Sequence, residues 1–128
     1  MARTSGGEAF VLAKVADLGE DGYTLVDGTG TILSWTAPND GNVHYAAVSA
    51  RLAVSSAETG GGVGIETAND SLGDLTSPTA VIAGGQGVGT NGRAFAPCPI
   101  GPGATITVYQ SSALTAGAAV LYAAIFSD

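Results

Sequence analysis

Closely spaced turn signals constrain this chain more than any other feature of its sequence. Glycine-rich or proline-containing clusters occur at residues 19–22, 27–30, 38–41, 60–62, 84–92 and 97–103. Each cluster supplies either glycine, which accepts positive φ, or proline, which fixes φ where the chain reverses. The runs between clusters are about 5 to 12 residues long and rich in Val, Ile, Thr and aromatic residues, which is typical of antiparallel sandwiches and barrels. The sequence therefore predicts an all-β protein, an antiparallel β-sandwich.

Nine runs are predicted to be strands. In the clearest, residues 43–54, apolar side chains alternate with Tyr45, Ser49 and Arg51, which is the period of two expected of a half-buried strand. Residues 104–110 repeat this pattern. The nine predicted strands are residues 10–17, 23–27, 31–36, 43–54, 62–67, 79–83, 93–96, 104–110 and 119–126.

The last of these runs is apolar on both of its faces. Val120, Tyr122 and Phe126 share one face, and Leu121, Ala123 and Ile125 share the other. Such a strand is covered on both sides, either in the centre of a sandwich or at a subunit interface. An Ala-rich helix from about residue 112 is the alternative, because the period of a short apolar run does not separate the two structures. Gly117 and the β-branched and aromatic residues favour the strand.

The first 30 residues differ from the rest of the chain in charge. They carry Glu8, Asp17, Glu20, Asp21 and Asp27, out of eleven acidic residues in the whole chain. We interpret residues 1–30 as an arm with a small hairpin, attached to a domain formed by residues 31–128. The alternative, in which these residues add edge strands to the same sandwich, stays open.

The charge balance excludes some classes of partner. Four cationic and eleven acidic residues give a net charge of −7, and the cations are scattered along the chain. Nucleic-acid binding needs a basic patch, so we expect no nucleic-acid partner. The longest apolar stretch, residues 113–126, is shorter than the about 20 residues that span a bilayer, and the first residues lack the apolar core of a signal peptide. We therefore expect that the protein does not associate with a membrane and that it is made in the cytoplasm.

Few residues suggest catalysis. His44 is the only histidine and lies on the apolar side of its predicted strand, which favours a buried structural role over that of a general base. Cys98 stands between two prolines and is interpreted as a free thiol. Most of the acids lie in turns, where carboxylates are solvated or cap the turn. The sequence indicates a protein that is not an enzyme.

Two segments bear on metals and cofactors. Residues 66–74 contain oxygen ligands suited to Ca²⁺ but lack the spacing of an EF-hand. Residues 87–92 match G-x-G-x-x-G, yet prolines follow where a dinucleotide site needs a helix, and no acid occurs between Asp74 and Asp128. We expect a glycine-rich loop there, no metal site and no cofactor.

Three segments carry a resemblance to a known family. Residues 35–46 read WTAPNDGNVHYA and precede the long alternating strand. This segment resembles the aromatic-x-x-Pro-x-x-Gly-x-Tyr segment of the C1q and tumour-necrosis-factor-like superfamily. Residues 101–108, GPGATITV, resemble the entry to a late strand of that family, and residues 120–126 resemble its apolar last strand. The resemblance implies a jelly roll that associates as a homotrimer.

Within that superfamily the chain looks most like small virion proteins of tailed bacteriophages, and among these like capsid decoration proteins. The resemblance implies a structural protein on the virion surface that trimerises on a phage head, binds the major capsid protein and stabilises the shell. A receptor- or carbohydrate-binding tip domain of a phage fibre is the alternative. The residues expected at the trimer interface are Val120, Tyr122, Ile125, Phe126 and His44, and those expected to contact the capsid are Phe10, Leu12, Lys14 and Tyr23.

Overall fold

The protein folds into β-strands throughout the part of the chain that the structure describes. The structure is a computed structural model and describes residues 11–74 and 79–128, except for the side chains of residues 79–80 and 93–97. Nine strands and no helix occur in these ranges, which confirms the all-β prediction. The strands are β1 (Ala13–Asp17), β2 (Tyr23–Thr24), β3 (Gly30–Thr36), β4 (His44–Gly60), β5 (Val63–Ala68), β6 (Thr79–Ile82), β7 (Gly89–Ile100), β8 (Thr105–Gln110) and β9 (Leu114–Ser127).

The strands form two antiparallel sheets. The first has the order β1-β9-β4-β7, with β2 also paired to β9, and the second has the order β3-β8-β5-β6. Each sheet therefore alternates strands from distant parts of the chain. If the two-residue β2 is left aside, eight strands remain, and their order is that of a jelly roll, in which two Greek keys close over one core. The predicted β-sandwich is thus confirmed.

The core lies between the sheets and follows from the alternation on their central strands. The largest fully buried apolar side chains include Leu52 of β4, Leu121 and Ile125 of β9, and Val108 of β8. Burying such a side chain stabilises the fold by about 1.5–3 kcal/mol. The period of two in the sequence therefore determines which side chains face the core and which face outward.

Strand β9 confirms the predicted strand at residues 119–126 and begins five residues earlier, at Leu114. The added part includes Gly117, whose φ is +93°. A Cβ atom at this position would collide with the carbonyl oxygen of Ala57, on the neighbouring strand β4. The pairing of β4 with β9 changes register between Val54 and Gly60. Glycine thus permits an irregular continuation of the strand here.

The predicted N-terminal hairpin is wrong, because β1 and β2 do not pair with each other. Strand β1 pairs with residues 124–127 of β9, and β2 pairs with residues 120 and 121 of the same strand. Leu25 is buried in the core. Residues 13–26 therefore extend an edge of the sandwich, as in the alternative interpretation of this region. A local pattern reveals strands but not their distant partners.

The predicted turn at residues 97–103 is partly wrong, since β7 continues to Ile100. Among the described strands β7 pairs only with β4, so it lies at a sheet edge. Pro97 and Pro99 are tolerated in an edge strand, because a proline nitrogen without a hydrogen can face away from the ladder. The strand also begins at Gly89, inside the predicted glycine-rich loop.

Candidate functional site

The outward side of the two central strands of the first sheet forms a surface of small and aromatic side chains. Its positions alternate with buried ones along both strands, so they point away from the core. We call this surface the β4–β9 outer face. Its four directly opposed pairs are Ala47 with Phe126, Ser49 with Ala124, Arg51 with Tyr122, and Ala53 with Val120.

The centre of the β4–β9 outer face is a cation–π pair. The guanidinium carbon of Arg51 lies 4.3 Å from the centroid of the Tyr122 ring. The turn at Gly22 also lies close to this ring, because an added Cβ there would lie 2.9 Å from Cε1 of Tyr122. No described carboxylate forms an ion pair with Arg51. The guanidinium therefore stacks on an aromatic ring and has no carboxylate within ion-pair distance among the described residues.

A groove of about 400 Å³ runs beside this pair. Lys14, Asp17, Ser49, Arg51 and Tyr122 are among its lining residues. Nζ of Lys14 lies 2.6 Å from Oδ2 of Asp17. The hydrogen bond and the charge of Lys14 lower the pKa of the Asp17 carboxyl, so this carboxyl is ionised at neutral pH. Two cations and one anion leave the groove with a positive balance in a chain whose net charge is −7.

The residues expected at a trimer interface divide between two faces of the sheet. Val120, Tyr122 and Phe126 are half-buried on the β4–β9 outer face. Ile125 is 0% exposed and His44 is 3% exposed. Since alternate residues of a strand point to opposite faces, Ile125 packs into the core of its own sandwich. Neither Ile125 nor His44 is available for contact on the surface of the folded chain.

His44 lies between two carboxylates at one end of β4. Its Nε2 is 3.0 Å from Oδ1 of Asp40, and its Nδ1 is 3.5 Å from Oδ1 of Asp128. The backbone N–H of Asn42 and then the imidazole of His44 stabilise the Asp40 carboxylate and lower its pKa to about 2. The N–H of Tyr45 donates to the same Asp128 oxygen. The imidazole therefore links the 40–42 turn to residue 128, which is the buried structural role that the sequence predicts.

The residues expected to contact a capsid also occupy different environments. Lys14 lies at the groove, in its ion pair with Asp17. Tyr23 is partly buried and packs against the core, and Leu12 is half-buried. Phe10 lies outside the described residues. Of the three that the structure describes, Lys14 is the one that lines the groove together with Tyr122.

Cys98 and Asp70 are the remaining candidates for a reactive or metal-ligating group. Burial, and after it the negative charge of Asp70, raise the pKa of the Cys98 thiol, which disfavours the reactive thiolate. Oδ1 of Asp70 accepts the N–H groups of Leu72 and Gly101, so it is occupied in holding turns. Across residues 11–74 and 79–128, no group of three His, Cys, Asp or Glu side chains is placed to hold a metal ion.

The described strands also bear on the G-x-G-x-x-G motif and on membrane-spanning helices. The G-x-G-x-x-G segment enters strand β7 at Gly89 rather than a helix, so it lacks the helix N-terminus that a dinucleotide site uses. The described ranges also contain no helix long and apolar enough to cross a membrane.

Comparisons of the chain with protein-family models, curated proteins and solved structures found no match. Sequence reasoning did not identify the groove or the pairing of Arg51 with Tyr122. The alternation of residues 43–54 placed Arg51 on an outward face, but the register that brings Tyr122 opposite it depends on strand pairing over a long sequence distance.

Proposed function

We propose that this chain is a structural virion protein, a capsid decoration protein that trimerises on the outside of a tailed-phage head and stabilises it. The resemblance of residues 31–128 to small trimeric virion proteins supports this function, as does the jelly-roll order of the strands. The observation that carries the proposal is the β4–β9 outer face. It lies on the two central strands of its sheet and presents small and aromatic side chains where a solvated sheet would carry mainly polar ones.

A second copy of the chain is the occupant that we propose for this face. Ala47, Ala53, Ala124 and Ser49 are small enough for another backbone to approach closely, and Phe126 supplies an aromatic contact. Cores of protein interfaces are depleted in charge and enriched in aromatic residues and arginine. Apolar burial at about 25 cal/mol per Å² over an interface of standard size would supply the driving force for association.

Charge complementarity supports the same occupant. Lys14 and Arg51, two of the four cations of the chain, line the groove on this face. A neighbouring copy brings many carboxylates, including that of Asp74, which is exposed in the turn that follows β5 of the second sheet. In a ring with threefold symmetry, one surface contacts a different surface of the next copy, so a cationic groove can face acidic groups.

The test combines oligomeric state with binding to phage heads. Phe126→Asp places a charge on the outer face, whereas Val88→Asp places the same charge on an exposed loop residue. We expect Val88→Asp to remain trimeric and to co-sediment with phage heads stripped of their decoration protein, and Phe126→Asp to be monomeric and to bind at least tenfold more weakly. A folded Phe126→Asp protein that still forms trimers would refute the interface. A wild-type trimer that binds no head would refute the decoration role.

The carbohydrate-binding alternative is favoured by one observation on the second sheet. The half-exposed ring of Tyr109 covers Gly64 of the neighbouring strand, where an added Cβ would lie 2.7 Å from its Cζ. A flat aromatic ring on a sheet surface can stack on a sugar. Binding on a glycan array that Tyr109→Ala abolishes would support a fibre tip over a decoration protein.

A further inference from the structure

The side chain of Glu58 places a carboxyl group in a buried environment. It lies near the end of β4 and is 8% exposed. Among the described residues, neither Oε1 nor Oε2 has a hydrogen-bond partner, and both atoms are shielded from solvent. A carboxylate transferred from water to such an environment loses its hydration, and the backbone of Gln86, which favours the charged form, offsets only part of that loss. The neutral acid is therefore the form that suits this position.

The Glu58 carboxyl is closely packed against its neighbours. Gly61, with φ +79°, leaves the space that Oε2 occupies, and a Cβ atom there would collide with that oxygen. The same Cβ would lie 3.0 Å from Cδ1 of Leu114, so the Glu58 carboxyl and Leu114 share one closely packed site. A displacement of the carboxyl towards Gly61 or Leu114 would therefore move the turn at residues 60–62 or the start of β9.

Three loops meet around this site through backbone hydrogen bonds. The N–H of Glu58 donates to the carbonyl of Gln86 at 2.9 Å, and the N–H of Gly85 donates to the carbonyl of Gly60 at 2.8 Å. The N–H of Gly61 donates to the carbonyl of Ala113 at 3.2 Å. Residues 58–62, 83–86 and 111–114 thus close one end of the sandwich, which we call the Glu58 end.

Few other charges act on Glu58. Residues 59–62, 83–88 and 111–118, which pack around it, contain no ionisable side chain. The segment that binds Leu114 through the carbonyl of Val26 contributes Asp27, which is exposed. On β4 itself the nearest ionisable residue in sequence is Arg51, which belongs to the β4–β9 outer face. Burial is accordingly the main influence on Glu58.

We propose that Glu58 is a proton-controlled latch that keeps the Glu58 end closed as a neutral acid and loosens it on ionisation. When the proton leaves to solvent, the carboxylate regains hydration by moving outward past Gly61. That movement weakens the hydrogen bonds of Gly61 and Gly85. The latch is a property of the monomer and does not depend on the proposed function.

The direction of the pH dependence follows from burial, which raises the pKa of Glu58 above its ordinary value of 4.5. For an acid with a raised pKa in the folded state, the contribution to stability is complete below the ordinary value. It is lost as the pH rises through the folded-state value. The Glu58 end should therefore be most closed below pH 4.5 and should loosen as the pH rises through the folded-state pKa of Glu58.

Amide hydrogen exchange on the full chain tests the latch. Between pH 4.5 and about pH 8, after correction for intrinsic exchange, protection of the Glu58, Gly61 and Gly85 amides should fall at least tenfold in the wild type. In Glu58→Gln, which cannot ionise, protection should stay constant. The matched control Glu66→Gln removes an exposed carboxyl on β5 and should behave as the wild type.

The outcomes separate clearly. Constant protection in the wild type, or a parallel fall in Glu58→Gln, would overturn the latch. If Glu58→Gln does not fold, a carboxyl-carbon NMR titration of the wild type decides. A midpoint above the ordinary value that coincides with loss of Gly61 protection supports the latch, and an ordinary midpoint refutes it.

Discussion

Arg51 and Tyr122 are directly opposite each other on β4 and β9, and the guanidinium lies 4.3 Å from the centre of the tyrosine ring. The pair stands in the middle of a sheet face whose other members are small or apolar. Arg51 has no carboxylate partner among the described residues. We propose that its stacked guanidinium binds an acidic group of another copy of the chain. This relationship connects the jelly-roll register to the association that we propose.

Replacing Arg51 should affect association more than folding. Arg51→Ala removes an exposed cation–π contact, so the free energy of unfolding should fall by only about 0.5–1 kcal/mol, as measured by urea denaturation of the monomer. Sedimentation equilibrium should show trimers weakened at least tenfold, with a reduced dependence on salt. Arg51→Lys keeps the charge but not the planar fork and should be intermediate. Equal association of all three proteins would contradict a role for Arg51.

Ile125 should behave as a core residue. Because its side chain is 0% exposed, Ile125→Ala should lower the free energy of unfolding by about 2–5 kcal/mol through lost burial and a cavity. Val120→Ala, on the outward side of the same strand, should cost the monomer much less. Chemical denaturation of both variants checks the assignment of faces. Similar losses for the two would show that the faces of β9 are not as described.

Gln110 should anchor the N-terminal segment to the sandwich. Its side chain, 1% exposed, accepts the N–H of Val26 and donates to the carbonyls of Val26 and Ser112. Gln110→Ala leaves these groups unpaired and should cost about 1–3 kcal/mol of unfolding free energy. Exchange of the Leu25 and Val26 amides should also accelerate.

The control for this prediction is Gln86→Ala, which removes one exposed hydrogen bond to the carbonyl of Ala83. It should change stability little. A Gln110→Ala protein as stable as this control would show that β2 is held without the amide.

Protonation of Asp40 should lower the stability of the fold at low pH. Its pKa is lowered from 3.8 to about 2 by the amide of Asn42 and by His44. An acid with a depressed folded-state pKa contributes stability that is present above its ordinary value and is lost as the pH falls through the lowered one. Melting temperatures of the wild type should therefore fall between pH 3.8 and about 2, and this part of the fall should be absent in Asp40→Ala. If the melting temperatures of the wild type and of Asp40→Ala fall equally between pH 3.8 and about 2, ionised Asp40 does not stabilise the fold.

The local alternation of the sequence predicted most of the fold. All nine runs overlap observed strands, and the division of β9 into Leu121 and Ile125 on one face and Tyr122 and Phe126 on the other is confirmed. Because successive side chains of a strand point to opposite faces, the alternation shows which residues share a face even when the partner strand is unknown. The same rule placed His44 inward, where the structure finds it.

What could not be predicted depends on contacts between distant residues. The hairpin of residues 10–27 was wrong because the edge of β9, about 100 residues later, offers both segments a partner. The groove depends on the same pairing, which brings Lys14 near Arg51. Glu58 gave no sign of burial, since only the meeting of three loops encloses it. The residues expected at an interface and on a capsid remain predictions, with Ile125 and His44 removed from the accessible surface.

The measurement that tests the central claim most directly is the absolute mass of the wild-type chain by light scattering behind a sizing column, at micromolar concentration. Association through the β4–β9 outer face predicts a mass three times that of the monomer. A monomer under these conditions would contradict the proposed trimer.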